Sequence, residues 1–247
     1  MSSKVGSFSF HIQSYMCDFQ GRASMPLLGG MILHAASHHA HERGFGYEHI
    51  SRDGVAWVLT KMAIEWLEPP HRDQSLTIET WVEAVARFYT QRCFRFLGEQ
   101  GQPIGYARSV WVALNMETRR PVNIPSWRPD IADYVCEEAE CPIARMKKIP
   151  AGAPDGVSAR DYTVSYSDID INGHLNSVKY IEHSLDVFDL SEYREKDIRR
   201  FEIAYLAEGY FGDALRLTRH DLSENETLVE TRRGSDAICR CRLLWQE

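Results

Sequence analysis

The residues best suited to chemistry lie in the stretch SYSDIDINGHLNSVKY, which begins at Ser165. Asp170, Asn172 and His174 alternate along it, directly before a helical pattern. A histidine moves a proton near neutral pH, a carboxylate orients or activates water, and an asparagine amide both donates and accepts hydrogen bonds. Together with Glu208 from a later segment, these side chains suit hydrolysis of an activated acyl group. That chemistry requires no metal and no organic cofactor.

Two interpretations of this polar stretch are open. If the backbone is extended from Asp170 to His174, the three alternating side chains project to one side. Free N–H groups at the following helix start would then stabilise an oxyanion, and losing one such donor costs roughly 100- to 1000-fold in rate. Alternatively the stretch is a turn in which Asp and Asn bond their own backbone. Asp168 is assigned to turn or loop structure.

Composition limits the class of protein. The chain has 247 residues, of which 44% are apolar and 26% charged, so a globular fold with a sizeable core is expected. A formal charge of -7 argues against nucleic acid as the main partner, since a phosphate backbone attracts a basic face. No apolar run is long enough for a membrane span. The start, MSSKVGSFSF, resembles neither a signal peptide nor a transit segment, so a cytoplasmic location is expected.

The cysteines predict neither a metal site nor a disulfide framework. They are scattered and form no C-x-x-C pair: Cys17, Cys93, Cys136, Cys141, Cys239 and Cys241. Cys239 and Cys241 alternate as strand neighbours do, so we expect both to pack on one face of a strand. A reducing cytoplasm fits this pattern.

Two sets of strands and two helices are expected from the pattern. Four β-rich segments lie between residues 54 and 118, and four more lie between residues 199 and 245. Helices are predicted over Leu27 to Glu42 and over Ser177 to Phe188, the second capped by Asn176 or Ser177.

The two halves also resemble each other. DFQGRAS, from Asp18, aligns with DINGHLN, from Asp170, and IEWLEPPHRDQSLTI aligns with IAYLAEGYFGDALRL. A unit of this length indicates a duplicated domain rather than a solenoid. We expect an N-terminal domain over residues 1–140, a linker over 141–157 that is rich in charge, Pro and Gly, and a C-terminal domain over 158–247.

Comparing the two halves shows that the residues suited to catalysis occur only in the second. Gln20 and Arg22 stand where the second half has Asn172 and His174, and Pro69 stands where it has Glu208. Only one copy therefore holds a titratable set. A purely structural loop gives no reason for that asymmetry.

SDIDINGHLNSVKYIEH resembles the signature of the acyl-acyl carrier protein (acyl-ACP) thioesterases, which have a D-x-N-x-H-x-N-x-x-K-Y pattern before the central helix of a hotdog domain. WVLTKM, ETWV, RSVWVALNMETRR and RRFEIAYLAEGYFGD are similar to further family segments, in the same order and in both halves. The resemblance implies an α+β double hotdog: two tandem domains, each a long central helix wrapped by an antiparallel sheet.

The resemblance also implies an activity and a site. The expected reaction is hydrolysis of fatty acyl-ACP to free fatty acid and holo-ACP, with Asp170, Asn172, His174 and Glu208 as catalytic residues. Members of the family often have Cys after the catalytic Glu. Gly209 stands there in this chain, so water or a carboxylate must attack. The lack of a chloroplast transit segment suggests a bacterial member.

The sequence also offers candidate residues for contact with the acyl chain and with ACP. Met31, Trp57, Val58 and Met62 are candidate walls of an acyl slot in the N-terminal domain, and Asn176 is a candidate substrate contact. ACP is acidic, so docking needs a local basic patch. The candidates are Arg119 and Arg120, then Arg145, Lys147 and Lys148, then Arg194, Lys196, Arg199 and Arg200. A monomer or a homodimer is expected.

Three alternatives remain: a hotdog acyl-CoA thioesterase, an enoyl-thioester hydratase, and a non-catalytic acyl-binding protein. The usual hydratase motif places its His one residue further from the Asp than His174 lies from Asp170. Loss of chemistry would have let the quartet drift as the first half did, which argues against the non-catalytic protein.

Overall fold

A computed structural model of the chain describes residues 3–152, 156 and 158–246. The chain divides into two compact units, Met1–Arg145 and Met146–Glu247. The sequence-predicted linker, 141–157, includes residues 153–155 and 157, which lie outside the described residues.

The first unit is an antiparallel sheet with one long helix. The strands run in the order β1-β3-β4-β5-β2. Their bounds are β1 Gly6–His11, β2 Val55–Trp66, β3 Ser75–Val85, β4 Tyr89–Leu97 and β5 Pro103–Asn115. The helices are α1 Met25–Glu42, α2 Tyr47–Ile50 and α3 Ile124–Trp127.

The second unit repeats this plan with a shorter helix. Its strands run in the order β7-β10-β9-β8-β6 and are antiparallel. Their bounds are β6 Ser158–Thr163, β7 Asp197–Tyr205, β8 Ala214–Ser223, β9 Glu226–Arg233 and β10 Asp236–Gln246. The helices are α4 Ser177–Leu185 and α5 Glu192–Glu195.

Burial explains why these segments take these forms. Leu28, Ile32, Ala35 and His39 of α1 are buried at helical spacing, so one face of the helix packs inward. In β10 every second residue from Cys239 to Trp245 is buried, as expected for a strand with one face in the core. The predicted packing of Cys239 and Cys241 on one face is confirmed.

The hydrogen bonds confirm the duplication. Ala23 N donates to Pro70 O at 2.8 Å in the first unit, and Leu175 N donates to Gly209 O at 2.8 Å in the second. Isolated bridges pair Arg22 with His71, and His174 with Tyr210. These matching contacts show that Pro69 occupies the position in the first unit that Glu208 occupies in the second, as in the sequence alignment.

Two details differ from the sequence expectation. The second helix ends at Leu185 rather than at Phe188, which is buried beyond the helix end. The pattern also missed the strands β1 and β6, which lie at the ends of their strand orders. Among the residues that the structure describes, no helix is both long and apolar enough to cross a bilayer.

The cap of α4 provides a stability test. Asn176 is the N-cap, and its Oδ1 accepts the Val178 N–H at 2.9 Å. Asn176→Ala should therefore lower the free energy of unfolding by about 1 kcal/mol in urea denaturation, because one helix donor loses its partner.

Ser24 is the matched control. It is the N-cap of α1, but its side chain makes no cap hydrogen bond. Ser24→Ala should change the free energy of unfolding by less than the Asn176 variant does. Equal losses in the two variants would contradict a specific capping role for Asn176.

Candidate active site

The segment from Asp170 to His174 forms a tight turn, so the second of the two open interpretations is confirmed and the extended one is wrong. Asp170 N donates to His174 O at 2.8 Å, and Gly173 N donates to Asp170 O at 3.0 Å. Gly173 has φ +81°, a left-handed conformation that favours glycine. Oδ1 of Asp170 accepts the N–H groups of Asn172 at 2.8 Å and His174 at 3.1 Å. The Asp170 carboxylate therefore shapes the loop.

A second turn, residues 208–213, carries the predicted acidic residue. Asp213 Oδ2 accepts the Tyr210 N–H at 2.9 Å, and Arg233 Nη1 donates to the same oxygen at 2.7 Å. Arg233 Nη1 also donates to the main-chain oxygen of Glu208 at 3.2 Å. One arginine on β9 therefore fixes the turn at both ends.

Backbone pairing brings the two turns together. The Leu175 N–H bond to Gly209 O and the bridge between His174 and Tyr210 join them directly. As a result, His174 Nδ1 lies 3.8 Å from Glu208 Oε1, and both side chains are partly buried. The predicted proximity of His174 and Glu208 is confirmed, whereas their catalytic role remains a prediction.

Tyr210 is a residue that the sequence analysis missed. Its hydroxyl donates to Glu208 Oε2 at 2.9 Å. Its ring stands edge-on to the His174 imidazole, with centroids 5.3 Å apart and an interplanar angle of 85°. The signal in the sequence was weak, because a tyrosine two residues after a glutamate has no distinctive spacing.

The first unit contains the same turn without the same chemistry. Asp18 Oδ1 accepts the N–H groups of Gln20 at 2.9 Å and Arg22 at 3.0 Å, as Asp170 does in its own loop. Arg22 Nε then pairs with Asp18 Oδ2 at 3.3 Å. The Asp turn is therefore a shared structural device, and the His–Glu pair is what distinguishes the second copy.

The start of α4 is less open to an oxyanion than the sequence analysis expected. The N–H groups of His174, Leu175, Asn176 and Val178 all donate to acceptors within the protein. These N–H groups already have hydrogen-bond acceptors within the protein. The exposed Asn172 side chain and the His174 ring are the better candidates for a donor to a substrate carbonyl.

Asp168 lies in a buried network beneath the loop. Its carboxylate accepts a short hydrogen bond from the Tyr162 hydroxyl, the Ser165 N–H at 2.7 Å and His183 Nε2 at 3.2 Å. Its main-chain oxygen accepts the Asn176 N–H at 2.8 Å. Asp168 thus ties β6, the loop and α4 together, which is the structural role that was predicted for it.

The network shifts two pKa values. Burial raises the pKa of Asp168, but the hydrogen bonds from Tyr162, Ser165 and His183 outweigh burial and lower the pKa below its ordinary value. Burial, together with the hydrogen bond to Asp168 and its charge, raises the pKa of Tyr162 to about 12. The carboxylate is therefore ionised in the folded protein near neutral pH.

The predicted acyl-slot residues lie in the first unit and differ in exposure. Met31 and Met62 are buried, at 5% and 1% exposure, whereas Val58 is partly exposed. Trp57 is partly buried, and its Nε1 donates to Phe45 O at 2.9 Å. Their contact with an acyl chain stays a prediction.

One residue predicted for the basic ACP-docking patch, Arg200, does not lie on the surface. Arg200 is buried at 5% exposure, and its guanidinium bonds Glu202 Oε1 at 2.7 Å. A buried, paired guanidinium cannot form part of a surface patch for an acidic partner. Lys147 and Lys148 are exposed.

Among the described residues, no group of three or more His, Cys, Asp or Glu side chains could hold a metal ion. All six cysteines are free thiols. The Glu208 carboxylate lies within hydrogen-bonding or ion-pairing range of one phenol and one imidazole, which are groups that can transfer protons.

Comparison with known proteins agrees with this fold. Residues 4–132 match the acyl-ACP thioesterase N-terminal domain model, and residues 153–247 match the C-terminal domain model. A crystal structure of an acyl-ACP thioesterase from Bacteroides thetaiotaomicron is 42% identical, with a TM-score of 0.92 and 98% of each chain covered.

Plant relatives are more distant. The structure of the 12:0-ACP thioesterase from Umbellularia californica has a TM-score of 0.86 at 21% identity, covers 100% of this chain and 98% of its own, and supports the fold alone. A chloroplastic acyl-[acyl-carrier-protein] hydrolase of Cuphea viscosissima is 28% identical over 210 residues, covering 81% of this chain and 51% of the relative. The chain spans about half the length of the curated relatives it matches.

The fold is a double hotdog, as the family resemblance implied, with antiparallel strands that accompany α1 in the first unit and α4 in the second. The chain belongs to the acyl-ACP thioesterase family.

The Asp168 network predicts a pH-dependent stability. Because the folded-state pKa is lowered, ionised Asp168 stabilises the fold above its ordinary pKa of 3.8, and this contribution is lost as the pH falls through the folded-state pKa. Asp168→Asn leaves a buried donor without its acceptor and should cost about 1–3 kcal/mol at pH 7 in urea denaturation. The variant should also lose less stability than the parent between pH 6 and pH 3.

Asp161→Asn is the control for this measurement. Asp161 pairs with Arg216 at 2.9 Å, but its side chain is 75% exposed. Its loss should stay within about 0.5 kcal/mol. Similar losses for the two variants at pH 7 would contradict the role assigned to the buried network.

Proposed function

We propose that the protein hydrolyses the thioester of fatty acyl-ACP and releases free fatty acid and holo-ACP. The observation that carries this proposal is the His174–Glu208 pair, at 3.8 Å, in one copy of a duplicated pair of turns. The other copy has the same backbone with Arg22 and Pro69 in those places. The similar Bacteroides protein, which is described as an acyl-ACP thioesterase, supports the substrate class.

The proposed mechanism uses one water molecule. Glu208 takes a proton from water, the water oxygen forms a bond to the thioester carbonyl carbon, and the carbon–sulfur bond breaks. The Asn172 amide and the protonated His174 ring donate to the carbonyl oxygen as negative charge develops there. His174 then gives its ring proton to the departing thiolate, and the proton held by Glu208 passes to His174, which restores both side chains. Asp170 assists by holding the loop, and its negative charge helps to orient water and His174.

Attack by a cysteine next to Glu208 is unavailable to this chain. Position 209 is glycine, and a Cβ built there would lie 3.0 Å from the Tyr180 hydroxyl and 3.1 Å from Leu175 Cβ. A larger side chain there would require the Tyr180 and Leu175 side chains to move by a few tenths of an ångström. Direct attack by a carboxylate, through an anhydride, is the alternative to water attack.

The N-terminal domain, residues 1–140, is proposed to serve as scaffold and acyl-pocket wall, and the C-terminal domain, residues 158–247, as the catalytic half. Met31, Trp57, Val58 and Met62 are the proposed wall residues. Two of them are buried methionines, whose flexible side chains adapt to a variable apolar ligand. Asn176 is already engaged as the cap of α4, so its proposed substrate contact is limited to the rest of its side chain.

ACP is the proposed partner, bound through exposed basic residues that include Lys147 and Lys148. The protein is proposed to act in the cytoplasm as a monomer or homodimer. Its six free thiols fit a reducing compartment.

A substrate panel tests the proposal. Purified protein is incubated with saturated acyl-ACPs, acyl-CoAs and enoyl thioesters of graded length, and free thiol, fatty acid and hydrated product are measured separately. We expect thiol and fatty acid in equal amounts from saturated acyl-ACP. Hydrated enoyl product without thiol would indicate a hydratase, faster turnover of acyl-CoA would indicate a CoA thioesterase, and binding without turnover would indicate an acyl-binding protein.

Glu208→Gln and Asp170→Asn should each lower kcat by about 100-fold or more, because each removes an acid–base or orienting charge. Both variants should fold, since Glu208 is partly exposed and an asparagine at 170 keeps an Oδ1 acceptor for the turn N–H groups. Steady-state rates with acyl-ACP, together with circular dichroism, provide the measurement.

Asp18→Asn is the matched control, because Asp18 makes the same two turn hydrogen bonds in the first unit. It should leave kcat within about twofold, within the scatter of surface changes. If Asp170→Asn behaved like Asp18→Asn, the Asp170 charge would have only a structural role. Near-normal rates in both Glu208→Gln and Asp170→Asn would remove the assignment of the site.

A further inference from the structure

We propose that Tyr210 is a positioning residue for Glu208: its hydroxyl holds one carboxylate oxygen, so that the other faces His174. The inference deepens the proposed function and rests on it. Tyr210 Oη lies 2.9 Å from Glu208 Oε2, while His174 Nδ1 lies 3.8 Å from Glu208 Oε1. The two oxygens of one carboxylate are thus divided between two partners.

Three further contacts fix Tyr210 itself. Its N–H donates to Asp213 Oδ2 at 2.9 Å, and its backbone pairs with that of His174 in an isolated bridge. The Arg233 guanidinium lies 5.9 Å from the centre of its ring. The phenol is therefore held by the backbone frame that joins the two turns, and it needs little ordering before it meets the carboxylate.

The duplicated unit shows that the fold does not require this phenol. His71 occupies the equivalent place, bridged to Arg22, and its N–H donates to Gln74 Oε1 at 2.7 Å as Tyr210 N–H does to Asp213. Pro69 stands where Glu208 stands, so the first copy has no carboxylate for such a hydroxyl. Both units have the turn, but the phenol is found only in the unit that also has the carboxylate.

The consequence for the reaction is both geometric and electrostatic. A hydroxyl that donates to Oε2 limits rotation of the carboxylate and keeps Oε1 directed towards His174 and the attacking water. A hydrogen bond to a carboxylate also favours its ionised form, which is the form a general base needs. Without the hydroxyl, Glu208 would sample more orientations and would take up a proton at higher pH.

Tyr210→Phe removes the hydroxyl and keeps the ring against His174. We expect kcat with acyl-ACP to fall about 10-fold, KM to change less than twofold, and the acid limb of the kcat/KM profile to move up by about one pH unit, since a hydrogen bond to a charged group contributes at this scale. In a Glu208→Gln background, Tyr210→Phe should cause no further loss.

Tyr166→Phe is the matched control. Tyr166 lies before the same loop, and its side chain is 89% exposed. This variant should leave kcat, KM and the pH profile unchanged. A loss of kcat in Tyr210→Phe with an unshifted acid limb, or an equal loss in the Glu208→Gln background, would overturn the positioning role.

A second readout separates this inference from the proposed function. The side-chain carboxyl carbon of Glu208, assigned by comparison with Glu208→Gln, is followed by carbon-13 NMR from pH 3 to pH 8 in the parent and in Tyr210→Phe. An upward shift of the titration midpoint in the variant supports the inference even if acyl-ACP is not the substrate. An unchanged midpoint contradicts it even if acyl-ACP is hydrolysed.

Discussion

The candidate site depends on one backbone contact, the hydrogen bond from Leu175 N to Gly209 O. This contact joins the loop that carries Asp170, Asn172 and His174 to the turn that carries Glu208. A histidine and a glutamate far apart in sequence are thereby placed 3.8 Å apart. Position 209 is a glycine, and the side chains of Tyr180 and Leu175 pack closely against it.

The same frame occurs twice and supports chemistry in only one copy. In the first unit, Ala23 N donates to Pro70 O at the same distance of 2.8 Å, and the loop again closes on an aspartate. The side chains then differ: an arginine forms a local ion pair with Asp18 where the second unit places an imidazole beside a carboxylate. The fold therefore supplies the geometry, and a few substitutions decide whether a copy can act as an acid–base site.

Much of the fold followed from sequence pattern, because its long strands alternate and the repeat is visible in aligned motifs. The features that the sequence analysis missed were missed for physical reasons. β6 was missed because its six residues show no apolar alternation, whereas β1 alternates Phe8 and Phe10 with polar residues and was missed because the run is short. The proximity of His174 and Glu208 was expected from the family resemblance, whereas the tight turn at Asp170 was expected only as an alternative. The hydrogen bonds from Tyr210 to Glu208 and from Arg200 to Glu202 each join residues two apart in sequence. That spacing is common, so sequence pattern did not reveal that Tyr210 meets the carboxylate or that Arg200 is buried.

The central claim is that the thioester reacts at the second copy of the duplicated frame. A crystal structure with a non-hydrolysable acyl-pantetheine analogue, in which an amide replaces the thioester, tests it most directly. The account predicts that the carbonyl oxygen lies within hydrogen-bonding distance of the Asn172 amide or the His174 ring, with a water on Glu208 facing the carbonyl carbon. A carbonyl bound beside Arg22 in the first unit, or remote from both loops, would contradict the account.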